Sequence, residues 1–320
     1  STALTFGENG DCHGYLIGEP HFGLRYMFMM MNEARVAVGF GAAMIGYRGY
    51  QYSLDYAKDR TQGRVPPKNK PEDAAAPIIL HGDVKRMLLA QKAYTEGGMS
   101  LCLYGSNLID RINTCTDENR KNDLSELLDL LTPVLKAWPS EYGPKANDLG
   151  IQILGGAGYT REYYSEQFWR DNRLNPIHEG TNGIQAMDLV ARKMMDGGEA
   201  ANLLLDEVEV DIETARESFP NMADSVWQAT ETLREATDWL NEQTDMNTRF
   251  AGAVPYLRAF SRVLGAHLHL KAALAGKGTP REALARFYIR RLLPEHASLL
   301  VHAQAGADDL YAMSADEFAT

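Results

Sequence analysis

The sequence has few cysteines and none in a paired spacing. Its 320 residues include three, Cys12, Cys102 and Cys115, which lie far apart. This pattern argues against a disulfide framework and against a Cys-x-x-Cys zinc or redox motif. A reducing compartment suits such usage, and we expect a cytoplasmic protein.

Long hydrophobic runs and an excess of positive charge are also absent. The most apolar stretch, from Tyr26 to Met31, is well short of the roughly 18 residues that a membrane span needs, and Glu33 and Arg35 follow it. The net charge is −11 and the pI about 5.2, which disfavours nucleic acid or an anionic membrane as the main partner. With 45% hydrophobic residues, the chain has enough apolar material for a large core.

The common signatures of metal and nucleotide sites are missing as well. The eight histidines form no His-Glu-x-x-His pair, and no paired Glu-x-x-His motif of a di-iron bundle occurs. There is no Gly-x-Ser-x-Gly elbow, no P-loop and no Rossmann fingerprint. We therefore predict that the protein has no metal site.

Hydrophobic periodicity predicts an all-α fold after a short N-terminal segment. Residues 1–22 indicate strands and turns, residues 23–198 an antiparallel helical bundle, and residues 199–320 a second helical set after Gly197-Gly198. Within the bundle we predict helices over 24–60, from His81 to about Ile112, and from about Asp123 to Ile153. Pro133, Pro139 and Pro144 should disturb the third of these.

Two shorter patterns complete the helical prediction. Thr181 is a good N-cap for a helix that should carry Ile184, Met187, Leu189 and Val190 inward. The tail should contain four helices, over 200–218, 221–243, 249–275 and 280–313.

The run from Asn175 to Gln185, Asn-Pro-Ile-His-Glu-Gly-Thr-Asn-Gly-Ile-Gln, places one carboxylate, Glu179, on a glycine-flanked turn before a helix start. One interpretation is a capped helix with a solvated glutamate. The other is a proton-transferring carboxylate, which needs small neighbours so that a substrate approaches closely. The run alone does not decide between them.

Two further motifs suggest contact with a phosphate or a flat heterocycle. Tyr-Ala-Lys-Asp-Arg-Thr-Gln-Gly-Arg at 56–64 ends the first long helix, where basic residues also complement the helix dipole. Gln-Ile-Leu-Gly-Gly-Ala-Gly-Tyr at 152–159 ends the third, and its clustered glycines allow the backbone a close approach. Met-Asn-Glu-Ala-Arg at 31–35 adds a charged pair inside an apolar stretch, which calls for a partner.

In this order and spacing, the motifs at 31–35, 56–64, 152–159, Arg170-Asp171 and 178–185 resemble the C-terminal half of the FAD-dependent acyl-CoA dehydrogenases. The tail after Gly198 is similar to that of the longer bacterial members, above all the 3-methylmercaptopropionyl-CoA dehydrogenase branch. The resemblance implies α,β-dehydrogenation of an acyl-CoA thioester. Glu179 would remove the α-proton while the β-hydride passes to FAD, and electron-transferring flavoprotein would be the acceptor.

The resemblance also implies binding roles. Arg60, Gln62, Gln152 and Gly156 match positions that contact FAD across a dimer interface, whereas Thr181 and Gly183 match positions that contact it from the same chain. Many relatives have glutamine at the position of Gly183. Arg35 and Asn32 are assigned to the acyl-CoA site. Some relatives carry their base one position before that arginine, where this chain has Ala34, and Glu33 is turned about 100° away around the helix.

Family members also have an N-terminal helical domain and a middle β-domain, of which residues 1–22 would be a remnant. We therefore expect a fragment that is inactive in isolation. A subunit of a split enzyme and a non-catalytic helical assembly module are the alternatives, and an oxidase is a further possibility. We expect a homo-oligomer, with a dimer favoured over a tetramer.

Overall fold

The computed structural model describes residues 2–68 and 70–319. Ser1, Asn69 and Thr320 belong to segments named in the predictions above but lie outside the described residues. The predicted all-α class is confirmed for the described residues. The helices are α1 Gly23–Met29, α2 Met31–Asp59, α3 Gly82–Thr114, α4 Glu118–Leu154, α5 Gly156–Tyr159, α6 Ser165–Asn172, α7 Asn182–Val190, α8 Glu199–Arg216, α9 Pro220–Glu242, α10 Met246–Ala275, α11 Pro280–Arg291 and α12 Glu295–Ala303.

The three longest helices of the first set, α2, α3 and α4, pack against one another and form the frame of the bundle. Glycines let α2 and α4 meet at backbone distance. A Cβ at Gly39 would overlap the carbonyl oxygen of Leu135, and one at Gly143 would lie 2.7 Å from that of Ala42. Such close crossings fix the relative position of the helices that carry the candidate site.

The expectation that prolines disturb α4 is wrong. The helix is continuous and begins earlier than predicted, because Asp117 caps it by accepting hydrogen bonds from the N–H groups of Asn119 and Arg120. Pro133, Pro139 and Pro144 are all buried within it. A proline has no N–H to donate to the carbonyl four residues back, which for Pro139 is the carbonyl of Leu135. That carbonyl accepts instead from the Cys102 thiol, at 3.8 Å. Packing therefore supports a helix that local propensity opposes.

The tail packs directly on the bundle. One continuous apolar core runs from Val36 to Ala303, and its largest fully buried side chains include Trp138, Tyr256 and Tyr288. Helix α10 contacts α7 and α3 of the first set and α8, α9, α11 and α12 of the tail. The domain division at Gly197-Gly198 stays a prediction.

Three local predictions are corrected. Residues 2–22 form no strand, because an extended segment becomes a strand only beside a partner, and the described chain contains only two isolated bridges. The predicted last helix, 280–313, is two helices separated at Leu292–Pro294. Ile184 and Met187 do not point inward: they are 51% and 37% exposed, whereas Leu189 and Val190 are buried.

Candidate functional site

Four of the predicted FAD-contacting residues line one cleft. Arg60, Gln62, Gln152 and Gly156 meet there although they come from segments about 90 residues apart in the sequence. The cleft has a volume of about 750 Å³, and Tyr56, His81, Gly155 and Tyr163 are among its other walls. We call it the glycine cleft.

Backbone hydrogen bonds hold the Arg60–Gly63 side of the glycine cleft. The N–H of Gln62 donates to the carbonyl of Ala76 at 2.9 Å, and the N–H of Ile78 donates to that of Arg60 at 2.8 Å. The opposite wall turns sharply at Gly155, whose φ of 63° is in the left-handed region. Glycine adopts this conformation without the steric cost of a Cβ.

The surface of the glycine cleft suits an anionic, planar ligand. Within the described residues, the side chains of Arg60 and Gln62 have no hydrogen bond or ion pair, and both are exposed. An ideal Cβ at Gly155 or Gly156 would meet no atom within 4 Å, so the backbone there is open. An unpaired guanidinium beside accessible backbone is a common means of binding phosphate.

Glu179 lies on a strained turn just before α7. Its φ is 53°, a value that is uncommon for residues other than glycine, and Gly180 follows at 81°. Gln185 Nε2 donates to the Glu179 carbonyl at 3.2 Å. The predicted cap is confirmed, because Thr181 Oγ1 accepts from the N–H of Ile184 at 3.2 Å. The Glu179 side chain is exposed, and strain of this kind is concentrated at functional sites.

A ladder of buried side-chain amides ties this turn to three helices. Asn147 of α4 accepts from Asn172 of α6 at 2.8 Å, Asn172 accepts from Asn175 at 2.8 Å, and Asn175 Oδ1 lies 3.1 Å from His178 Nε2. Asn172 also donates to the carbonyl of Ala42 on α2, at 3.0 Å. Satisfied buried amides of this kind specify one arrangement, so the residue before Glu179 is held in place.

The predicted acyl-CoA residues lie at the start of α2. Arg35 is buried, and its guanidinium lies 3.6 Å from the carboxylate of Asp188 on α7. Its Nε has no hydrogen-bond partner among the described residues. Asn32 is half-buried, and no hydrogen bond in the described chain joins it to Glu179. At Gly183 an added Cβ would lie 3.7 Å from Thr181 Oγ1, an ordinary contact, so a side chain fits there.

The sequence reasoning missed Lys136, which the structure joins to Asn182, three residues after Glu179. Lys136 is fully buried on α4, and its ammonium donates to Asn182 Oδ1 at 3.0 Å. The pKa of Lys136 is lowered to about 8, mainly by burial and in addition by the charge of Arg35, whereas the charge of Glu179 opposes the shift. The available signal was one charged residue in the otherwise apolar run Leu-Thr-Pro-Val-Leu-Lys-Ala-Trp.

This shift predicts a pH-dependent stability. From about pH 8 towards 10.5, the ordinary lysine value, the folded state releases the Lys136 proton while the unfolded state keeps it. The folded state therefore gains stability from this group as the pH rises from about 8 towards 10.5, and it loses that stability as the pH falls back to 8. The free energy of unfolding changes by at most about 3 kcal/mol. Relative to Lys136→Met, the wild type should gain free energy of unfolding between pH 7 and pH 10 in urea titrations. If the free energy of unfolding changes with pH in the same way in both proteins, the lowered pKa of Lys136 is contradicted.

Comparison with known proteins gives consistent matches along the chain. Residues 21–195 match the family model "Acyl-CoA dehydrogenase, C-terminal domain", and residues 204–314 match "Acetyl-CoA dehydrogenase C-terminal like". The 3-methylmercaptopropionyl-CoA dehydrogenase of Ruegeria pomeroyi is 38% identical over 256 residues, which cover 78% of this chain and 43% of that protein.

Solved structures share the fold. ACDH-11 from Caenorhabditis elegans, in complex with C11-CoA, gives a TM-score of 0.68 at 20% identity over 87% of this chain and 46% of that chain. An acyl-CoA dehydrogenase from Bacillus anthracis, complexed with FAD, gives 0.62 at 20% identity over 94% and 52%. The chain thus spans about half the length of these proteins. Because the first family model covers more than half of the chain at the predicted motifs, the chain belongs to the acyl-CoA dehydrogenase family.

Proposed function

We propose that the protein carrying this chain catalyses the α,β-dehydrogenation of an acyl-CoA thioester, with Glu179 as the base. The main support is the turn that presents Glu179. It is strained at the carboxylate-bearing residue, braced by buried amides, and joined through Asn182 to the buried ammonium of Lys136. A solvated helix-capping glutamate needs none of these features.

The residues of the chain would act as follows. Glu179 accepts the α-proton of the thioester, a very weak acid, so the carbonyl must be polarised by preorganised donors. The backbone N–H of Glu179 is one such donor. Arg35 would line the acyl-CoA site near the base, and Asn32 would line it from the first turn of α2. Asp188 balances the charge of Arg35.

The residues of the glycine cleft fit FAD. Arg60 and Gln62 would bind its phosphates and polar edges, and Gln152 and Gly156 would contact it from the opposite wall, across a homodimer interface. Thr181 and Gly183 would contact FAD from the chain that supplies Glu179. When bound, FAD accepts the β-hydride of the substrate. Electron-transferring flavoprotein would be the electron acceptor of the reduced enzyme.

Anaerobic mixing of the FAD-loaded protein with acyl-CoA thioesters tests this function. We expect loss of the flavin absorbance near 450 nm and formation of 2-enoyl-CoA, with short thioether-containing and linear chains included in the panel. A flavin that oxygen reoxidises rapidly would indicate an oxidase. Stable oligomers that neither bind flavin nor process any acyl-CoA would favour the non-catalytic assembly module.

Removing the cation of the glycine cleft should weaken flavin binding. A charge-assisted hydrogen bond contributes roughly 1.5–3 kcal/mol, so Arg60→Ala is expected to raise the Kd for FAD by about 10- to 100-fold. Isothermal titration or the flavin content after dialysis measures this without any turnover. Lys58→Ala is the matched control, because Lys58 is an exposed cation two residues away that does not line the cleft. Equal flavin affinity in both variants would contradict the assignment.

A further inference from the structure

A clamp of three side chains holds the turn that carries Glu179. Asn182, the first residue of α7, accepts at Oδ1 from Lys136 Nζ at 3.0 Å and from Ser140 Oγ at 2.9 Å. Its Nδ2 donates to the carbonyl of Ala137 at 3.4 Å. Its backbone N–H closes the turn by donating to the carbonyl of Pro176 at 3.0 Å. One asparagine therefore joins the Glu179 turn to α4.

Within this clamp, the Lys136 ammonium donates to Asn182, whereas the Ser140 hydroxyl is shared between Asn182 and the Lys136 carbonyl. Ser140 has a single hydroxyl proton and lies closer to the carbonyl of Lys136, at 2.7 Å, than to Asn182. The lysine ammonium has three protons and cannot accept a hydrogen bond. It therefore determines which way the Asn182 amide points, since the reversed amide would place N–H groups against the ammonium.

The charge of Lys136 has a cost in stability that packing does not explain. An apolar residue of similar length would fill the same buried space on α4 without desolvating an ammonium. The charged groups that act on Lys136 are Arg35 from α2 and Glu179 from the turn, and both belong to the proposed catalytic site. A destabilising charge at such a place fits a functional role, because activity commonly costs stability at active sites.

We propose that Lys136 is a positioning residue that holds the Glu179 turn in its catalytic geometry through Asn182. This inference rests on the proposed function of Glu179. Because a displacement of about 1 Å in a catalytic group costs roughly 100-fold in rate, Lys136→Met should lower kcat by about 10- to 100-fold. KM for the acyl-CoA should change by less than about 3-fold, since the substrate-binding residues remain.

The clamp is tested first without flavin or substrate, by amide hydrogen exchange of the 320-residue chain. In Lys136→Met the Asn182 N–H should exchange about 10-fold faster or more, as expected for a lost charge-assisted bond. Ser140→Ala should give a smaller increase. Lys193→Met is the matched control, because Lys193 is also buried but pairs with Asp129, and it should leave Asn182 exchange unchanged.

The pH profile separates positioning from general structural support. The wild-type kcat should fall as pH rises through about 8, where Lys136 loses its proton, and this limb should be absent in Lys136→Met. A Lys136→Met protein at least as stable as the wild type at pH 7, yet slower, would support the proposal. It is overturned if Lys136→Met matches Lys193→Met in Asn182 exchange and in kcat. If Lys136→Met changes the exchange of the Asn182 N–H but Glu179→Gln stays active, only the assignment of Glu179 as the base is refuted.

Discussion

Glu179→Gln should lower the rate of acyl-CoA dehydrogenation by about 100- to 10,000-fold, the usual contribution of a positioned general base. Glutamine preserves the size of the side chain but cannot accept the α-proton. The cap at Thr181 and the amide ladder do not involve the Glu179 carboxylate, so the turn should survive. Anaerobic rapid mixing with acyl-CoA measures the loss directly as a slower decay of flavin absorbance.

Two comparisons make this result specific. The flavin content of Glu179→Gln should equal that of the wild type, because none of the residues that line the glycine cleft is changed. Glu33→Gln is the matched control, since Glu33 is an exposed carboxylate at the start of α2, two residues before Arg35. A fully active Glu179→Gln protein would refute the base assignment, and an inactive Glu33→Gln protein beside it would move the base to α2.

Gly39→Ala should destabilise the fold by about 3 kcal/mol or more. The new Cβ would overlap the carbonyl oxygen of Leu135 and lie 3.3 Å from Cys102 Sγ. Because the obstacle is backbone, α2 and α4 must separate, and overpacking of this kind commonly costs 1–3 kcal/mol or more. Chemical denaturation monitored by circular dichroism gives the change in the free energy of unfolding.

Gly41→Ala is the matched control for that prediction. It lies two residues along the same helix, and an added Cβ there would meet no atom within 4 Å. Alanine is a better helix former than glycine by up to about 1 kcal/mol, so this variant should be slightly more stable than the wild type. If both variants shift stability in the same direction by similar amounts, the close crossing of α2 and α4 does not carry the energy assigned to it.

Local chemistry predicted the parts of the site that depend on few neighbours. The cap at Thr181 followed from the hydroxyl at a helix start, and the Gly155 turn followed from glycines after an apolar helix. The helix predicted from His81 to about Ile112 followed from its apolar period and is observed as Gly82–Thr114. These features are decided by hydrogen bonds and steric limits within a few residues, and they were therefore predictable.

Features that depend on distant partners were predicted less well. The prolines of α4 are tolerated because buried packing supports the helix around them. No strand forms in residues 2–22, because strand formation needs a second strand at the right distance. Ile184 and Met187 follow an inward-facing pattern but lie exposed on α7. In each case the outcome depends on what covers the element, which periodicity does not encode.

The sequence by itself determined the helical class, the family to which the chain belongs, and the identity of Glu179 as the candidate base. Motif order and residue chemistry suffice for these conclusions. Only the tertiary structure decided that Arg60 and Gly156 share a cleft, that Glu179 lies on a strained and braced turn, and that the buried Lys136 bonds to Asn182 after that turn. The physical reason is that burial and contact are properties of packed helices, and the desolvation that gives a buried lysine its unusual pKa exists only once those helices have come together.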